Sequence, residues 1–108
     1  MRRVLPILLT LAVLLGSTGV SWSADFQKGL DAHNKRDYAT ALREWTPFAE
    51  QGDAIAQFIL GMMYRKGRGV PKDDKTALKW HTLAAEQGFA YAQTFLGYMY
   101  RWGLGVPK

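Results

Sequence analysis

The sequence predicts an all-α fold, a stacked array of about five short helices that follows an N-terminal targeting segment. Shifting the chain by 36 residues superimposes residues 37–72 on residues 73–108, with 22 of the 36 positions identical. Within each copy, small and apolar residues recur at helical spacing, and glycine and proline separate the helical stretches. A repeat of this length is typical of arrays in which each unit buries its apolar face against its neighbours.

The N-terminal segment has the pattern of a secretory signal peptide. Arg2 and Arg3 form a positive n-region, residues 4–15 are apolar, and Ser21-Trp22-Ser23 is a small-x-small cleavage site. We therefore expect residues 1–23 to be removed and the mature chain to lie in the periplasm or outside the cell. The alternative is an uncleaved membrane anchor, because residues 4–24 carry no charge and nearly suffice to cross a bilayer.

The first pair of predicted helices has a less regular sequence pattern than the helices that follow it. Residues 25–35 and 38–51 are predicted to form its two helices, with Pro47 inside the second. Because proline lacks an N–H group and its ring clashes with the preceding turn, we expect a kink or a break near Trp45.

The 36-residue repeat then predicts helices at 54–65, 75–87 and 90–101, separated by connectors rich in glycine and proline. Asp73 and Asp74 open the second of these helices, where carboxylates favour a helix N-terminus. Gly61 and Gly97 fall in the middle of the first helix of each repeat, where glycine costs about 0.5 to 1 kcal/mol relative to alanine. We expect a neighbouring backbone to approach both glycines closely and offset that cost.

Composition excludes several classes of function. The net charge is +5 for the whole chain, but from Ala24 onward 12 Lys and Arg against 9 Asp and Glu leave only +3, which is weak support for nucleic-acid binding. The chain has no cysteine, so disulfides, thiolate nucleophiles and Cys-ligated zinc are excluded. A basic run at residues 65–79 is expected to be solvated surface, with an acidic partner or an anionic envelope surface as the alternative.

Candidate catalytic and metal-ligating residues are few. His33 and His81 are the only histidines and lack the spacing of a metal site, and every serine lies within residues 1–23. The loop that begins at Gly67 lacks the third glycine and the preceding strand of a phosphate-binding loop. We therefore expect no enzymatic activity, no cofactor and no metal.

The repeat resembles the Sel-one-like repeat (SLR), a longer relative of the tetratricopeptide repeat. The resemblance rests on the Ala-x-Ala-Gln-x-x-Leu-Gly-x-x-Tyr helix, the Gly-x-Gly-Val loop and the Asp-x-x-x-Ala-x-x-Trp helix, and it covers residues 38–108. It implies a right-handed α-solenoid of antiparallel helix pairs that serves as a protein-interaction scaffold. On this basis residues 24–52 are a divergent first helix pair, residues 53–88 a first repeat and residues 89–108 an incomplete second repeat.

The predicted function is that of a non-enzymatic scaffold or adaptor of the bacterial cell envelope, which binds another protein or peptide. In arrays of this kind the first helix of each pair lines the concave face. The matching positions are Ile55, Phe58, Met62, Arg65, Tyr91, Thr94, Tyr98 and Arg101. Two alternatives are an accessory protein that binds cell-wall carbohydrate or peptide, and a truncated gene fragment without independent function.

The last predicted helix has no polar cap. Its apolar side chains would normally be covered by the next helix of the array. These side chains are Phe89, Tyr91, Phe95, Tyr98, Met99 and Trp102. We therefore expect either self-association through this end or membership of a longer array.

Overall fold

The structure is a computed structural model that describes residues 26–107. Within that range it contains five helices and no strand, which confirms the all-α prediction. The helices are α1 (26–34), α2 (Tyr38–Glu50), α3 (Ala54–Lys66), α4 (Asp74–Glu86) and α5 (Ala90–Trp102). The predicted signal peptide and its cleavage site lie outside the described residues. None of the five helices has the length and apolar character needed to cross a membrane.

Aspartate side chains begin three of the helices. Asp37, Asp53 and Asp73 each accept a hydrogen bond from the backbone N–H three residues later, at 3.3, 2.8 and 3.1 Å respectively. This contact satisfies one of the N–H groups that a helix start leaves without a partner. Helix α5 differs, because Phe89 stands at its N-cap and makes no such bond. At this position the second copy of the repeat has an aromatic residue where the first copy has a capping aspartate.

The core is built largely from alanine, which lets the helix backbones approach closely. One buried cluster lies between α1, α2 and α3, and a smaller one lies between α4 and α5. The members of the first are Ala32, Ala41, Trp45, Ala49, Ala56, Leu60 and Met63, and those of the second are Ala84, Ala85 and Ala92. Helices that are consecutive in the chain pack on one another, as the repeat predicts.

A glutamine at the same repeat position ties each hairpin to the one before it. Gln57 Nε2 donates to the carbonyl of Ala49 at 3.1 Å, and Gln93 Nε2 donates to the carbonyl of Ala85 at 3.2 Å. Each bond runs from the start of a first helix to the end of the preceding second helix, where carbonyls lack helical partners. Gln57 is buried, so its bond also satisfies a polar group that water cannot reach.

The expected break at Pro47 is absent. Helix α2 continues through Pro47, because Pro47 and Arg43 lie on its exposed side, where solvent can supply the donor that proline lacks.

The expectation for the mid-helix glycines was wrong. No backbone fills the space at Gly61 and Gly97. The His81 side chain occupies it at Gly61, and nothing lies within 4 Å at Gly97.

Candidate functional site

The eight residues predicted to line the partner-binding groove all lie on α3 and α5, and none of them belongs to the core. Phe58, Met62 and Arg65 are half-buried. Ile55, Tyr91, Thr94, Tyr98 and Arg101 are exposed. We refer to these eight residues, the predicted lining of the partner-binding groove, as the groove.

Phe58 is the centre of an aromatic cluster that joins α3 to α5. Its ring centroid lies 5.4 Å from that of Phe89, 6.3 Å from Phe95 and 6.4 Å from Tyr91. Such separations are those of favourable edge-on and tilted aromatic pairs. This end of the candidate site is therefore rich in aromatic rings, of which Tyr91 is 72% exposed.

Arg65 forms the second contact between α3 and α5. Its guanidinium carbon lies 5.4 Å from the ring centroids of both Phe95 and Tyr98, and its Nη2 donates to the Tyr98 hydroxyl at 3.4 Å. Contacts of this kind attract a cation to the faces of aromatic rings. The side chain is thus held in one orientation by the neighbouring helix.

The structure brings only some of the predicted residues together. Phe58 contacts Tyr91, and Arg65 contacts Tyr98. Arg101, which is the repeat equivalent of Arg65, lies instead over the ring of Trp102 on its own helix, 5.6 Å from the centroid. The remaining predicted residues lie on the same two helices but take part in none of these ring contacts.

His81 lies beneath the groove and was not among the predicted residues. Its ring is fully buried, 4.9 Å from the Phe95 centroid and 5.2 Å from that of Phe58. Neither ring nitrogen has a hydrogen-bond partner within residues 26–107. Burial, aided by the nearby charge of Arg65, lowers the pKa of His81 from 6.5 to about 4. At neutral pH His81 is therefore an uncharged packing residue.

Phe89 and Phe95 pack against Phe58 and were not predicted as part of the site. They stand where the preceding copy of the repeat has Asp53 and Ile59, and His81 stands where it has Trp45. The sequence signal for these three residues is that each differs from its equivalent in the preceding copy of the repeat. The prediction relied instead on positions shared with a family pattern.

The outer end of α5 is uncovered in part. Tyr91, Tyr98 and Trp102 are exposed, as expected for an uncapped helix. Tyr100, which matches the core tyrosine of the family pattern, is exposed as well. The expectation was wrong for Met99, which is fully buried, as is its repeat equivalent Met63. Phe89 and Phe95 are half-buried because they pack on Phe58.

The described residues contain no group of three or more histidine, aspartate or glutamate side chains that could hold a metal ion. His33 and His81 lie on α1 and α4, and His33 Nε2 is 3.4 Å from Arg68 Nη1. The groove offers aromatic rings and guanidinium groups. These groups suit recognition of another molecule.

Two solved structures of similar proteins are informative. One is a Sel1 repeat protein from Oxalobacter formigenes, with a TM-score of 0.63 and 42% identity over 64% of this chain and 20% of that one. The other is a protective antigen present in uropathogenic Escherichia coli strains, which displays an SLR fold. It has a TM-score of 0.72 and 35% identity over 79% of this chain and 19% of that one. The chain thus spans about a fifth of the length of either relative.

The comparison with curated proteins found no match. The Sel1 repeat, by contrast, matches residues 54–89 and 90–108, which is more than half of the sequence. Together with the solenoid architecture of the similar structures, this match confirms the predicted fold. The chain belongs to the Sel1 repeat family.

Proposed function

We propose that the protein is a non-enzymatic scaffold of the bacterial cell envelope that binds a partner protein or peptide in the groove formed by α3 and α5. The observation that carries this proposal is the aromatic and guanidinium surface of the groove, centred on Phe58, Arg65 and Tyr98. Tyrosine, tryptophan and arginine dominate the binding energy of protein interfaces. Sel1 repeats also generally mediate protein–protein interaction.

The location in the envelope is supported by the sequence of residues 1–23, which has the charge, apolar run and small-residue site of a signal peptide. An exported scaffold without cysteine depends on its packed core for stability. The alanine-rich clusters and the glutamine bonds between hairpins provide such a core.

The test is capture of a partner from a cell-envelope extract with two matched double variants. Tyr98→Ala with Arg101→Ala removes an aromatic ring and a cation from the groove. Leu83→Ala with Lys79→Ala removes an apolar side chain and a cation from the exposed outer face of α4. Circular dichroism of both variants verifies that helicity is kept.

The proposal predicts a stoichiometric protein that the wild type and the α4 variant retain and the groove variant loses. Equal capture by all three proteins would place the binding site elsewhere. Retention on isolated cell-wall material without a protein partner would favour the carbohydrate- or peptide-binding accessory protein instead.

A further inference from the structure

The two helices that carry the groove have no carboxylate side chain. Neither α3 nor α5 contains aspartate or glutamate, although together they carry Arg65, Lys66 and Arg101. The carboxylates of residues 26–107 lie on α1, α2 and α4 or at helix N-caps. These are Asp31, Asp37, Glu44, Glu50, Asp53, Asp73, Asp74 and Glu86. The helices that form the groove therefore present cations and contribute no anion of their own.

Arg65 has no carboxylate partner in the described part of the chain, where the ion pair observed is that of Lys72 with Asp74 at 2.9 Å. Its Nε is buried and makes no hydrogen bond. Arginine carries five N–H donors in a planar fork, of which the structure uses one, toward Tyr98. Donors left unused beside an apolar surface favour an acceptor from outside the chain.

The aromatic contacts of Arg65 suit it for this role. Its guanidinium carbon lies over the rings of Phe95 and Tyr98, 5.4 Å from each centroid, and a cation held over a ring keeps N–H donors with which it can bind a carboxylate. Holding the side chain in place also reduces the entropy lost when a partner binds. A charge-assisted bond formed against an aromatic surface is stronger than one formed in open water.

Resting on the proposed function, we propose that the partner segment is acidic, with one carboxylate bound to Arg65 between Phe95 and Tyr98. An apolar side chain of the same segment lies on the rings of Phe58 and Tyr91. Arg101, one repeat further along, offers a second cation for another carboxylate. The occupant is thus an acidic peptide with interspersed apolar residues.

The experiment uses two pools of short fluorescent peptides that share the same apolar positions and carry either Glu or Gln at the others. Fluorescence anisotropy measures their binding to the wild-type chain, Arg65→Gln and Arg68→Gln. Arg68 is the matched control, since it also lies over a ring, 5.2 Å from the Tyr38 centroid, but contacts the α1–α2 hairpin. Vesicles containing phosphatidylglycerol test a lipid headgroup as the source of the anion.

The proposal predicts that the Glu pool binds the wild type and Arg68→Gln about tenfold or more tightly than the Gln pool. In Arg65→Gln this preference falls severalfold, since Arg101 remains as the second cation, and in the wild type it weakens as salt is raised. If both pools bind equally and Phe58→Ala abolishes that binding, the proposal of an acidic partner is wrong but the proposal of a binding groove is supported. Binding of neither pool would overturn both proposals, and Arg65-dependent binding to vesicles alone would assign the site to lipid.

Discussion

The imidazole of His81 occupies the space that a side chain at Gly61 would need, with its Cε1 atom 2.5 Å from the position of an alanine Cβ. Trp45 stands in the same relation to Gly29 in the first hairpin. In each of these two hairpins, a flat side chain of the second helix therefore packs on a glycine of the first helix. Gly97, on α5, has the same repeat position as Gly61 and no side chain seated on it.

The contrast between these glycines predicts opposite effects of one substitution. Gly61→Ala forces the His81 ring out of a packed position and should destabilise the chain by roughly 1 to 3 kcal/mol. Gly97→Ala meets nothing within 4 Å and should stabilise α5 by about 0.5 to 1 kcal/mol through helix propensity. Denaturant unfolding of both variants measures the difference. Equal changes in the two would show that His81 is not seated on Gly61.

Stability should fall in mild acid because of His81. Its pKa is about 4 in the folded chain and 6.5 when unperturbed, so between these values the unfolded chain binds the additional proton. The free energy of unfolding therefore decreases as pH falls through this window, and the full contribution is present above pH 6.5. A pKa difference of this size corresponds to roughly 3 kcal/mol in all.

The matched variant for this prediction is His81→Phe, which keeps a flat ring on Gly61 and cannot titrate. The pKa of His33 is also lowered, by burial and by Arg68 and Lys66, and contributes in the same direction. The prediction is therefore the difference in slope between wild type and variant, measured by thermal melts across the window. Parallel pH profiles for the two proteins would refute it.

Gln57 should contribute more to stability than its repeat equivalent Gln93. Gln57→Leu removes two hydrogen bonds of a buried side chain, at a cost of about 1 to 3 kcal/mol for the pair. One is the bond to the Ala49 carbonyl, which keeps the Gly52 N–H as its other donor, and the second is the bond that Gln57 accepts from Gln87. Gln93 is exposed, so water can replace its bond to Ala85, and Gln93→Leu should cost less than about 1 kcal/mol. Urea midpoints of the two variants test the order, and the reverse order would contradict it.

The uncovered end of α5 predicts a gain from an added helix. In a chain with a copy of residues 73–88 placed after Lys108, the added histidine should pack on Gly97 and the added helix should cover Tyr100 and Trp102. The melting temperature should rise and self-association should decrease. The control is the same extension with alanine in place of that histidine and polar residues on its apolar face. A wild-type chain that stays monomeric at high concentration, with no gain from the extension, would show that this end needs no cover.

The fold was predictable because it depends on local signals that the repeat displays twice. Helix boundaries followed from Asp73 and from Gly67, whose φ of 69° is the left-handed conformation expected at a helix end. The packing of His81 against Gly61 was not predictable, because the helical pattern does not show which side chain of the second helix contacts the glycine. The burial of Met99 likewise depends on how α5 is rotated against α4, which periodicity alone leaves open.

The candidate site was predicted as a surface of the first helices, and the contacts within it were not predicted. Phe58, Arg65, Tyr91 and Tyr98 were placed on it by their position on the first helices. Phe89 and Phe95 were missed because their roles come from packing on Phe58, across helices distant in sequence. Such contacts follow from tertiary structure, and a helical pattern does not display them.

The most direct test of a binding groove on α3 and α5 is site-specific photo-crosslinking to the captured partner. One photoreactive residue replaces Tyr91 in the groove, which is 72% exposed, and another replaces Leu83 on the outer face of α4, which is 43% exposed. Since both positions reach solvent, accessibility alone does not decide the result. A partner bound in the groove should crosslink from position 91 and not from position 83. Crosslinking from position 83 alone would contradict binding in the groove.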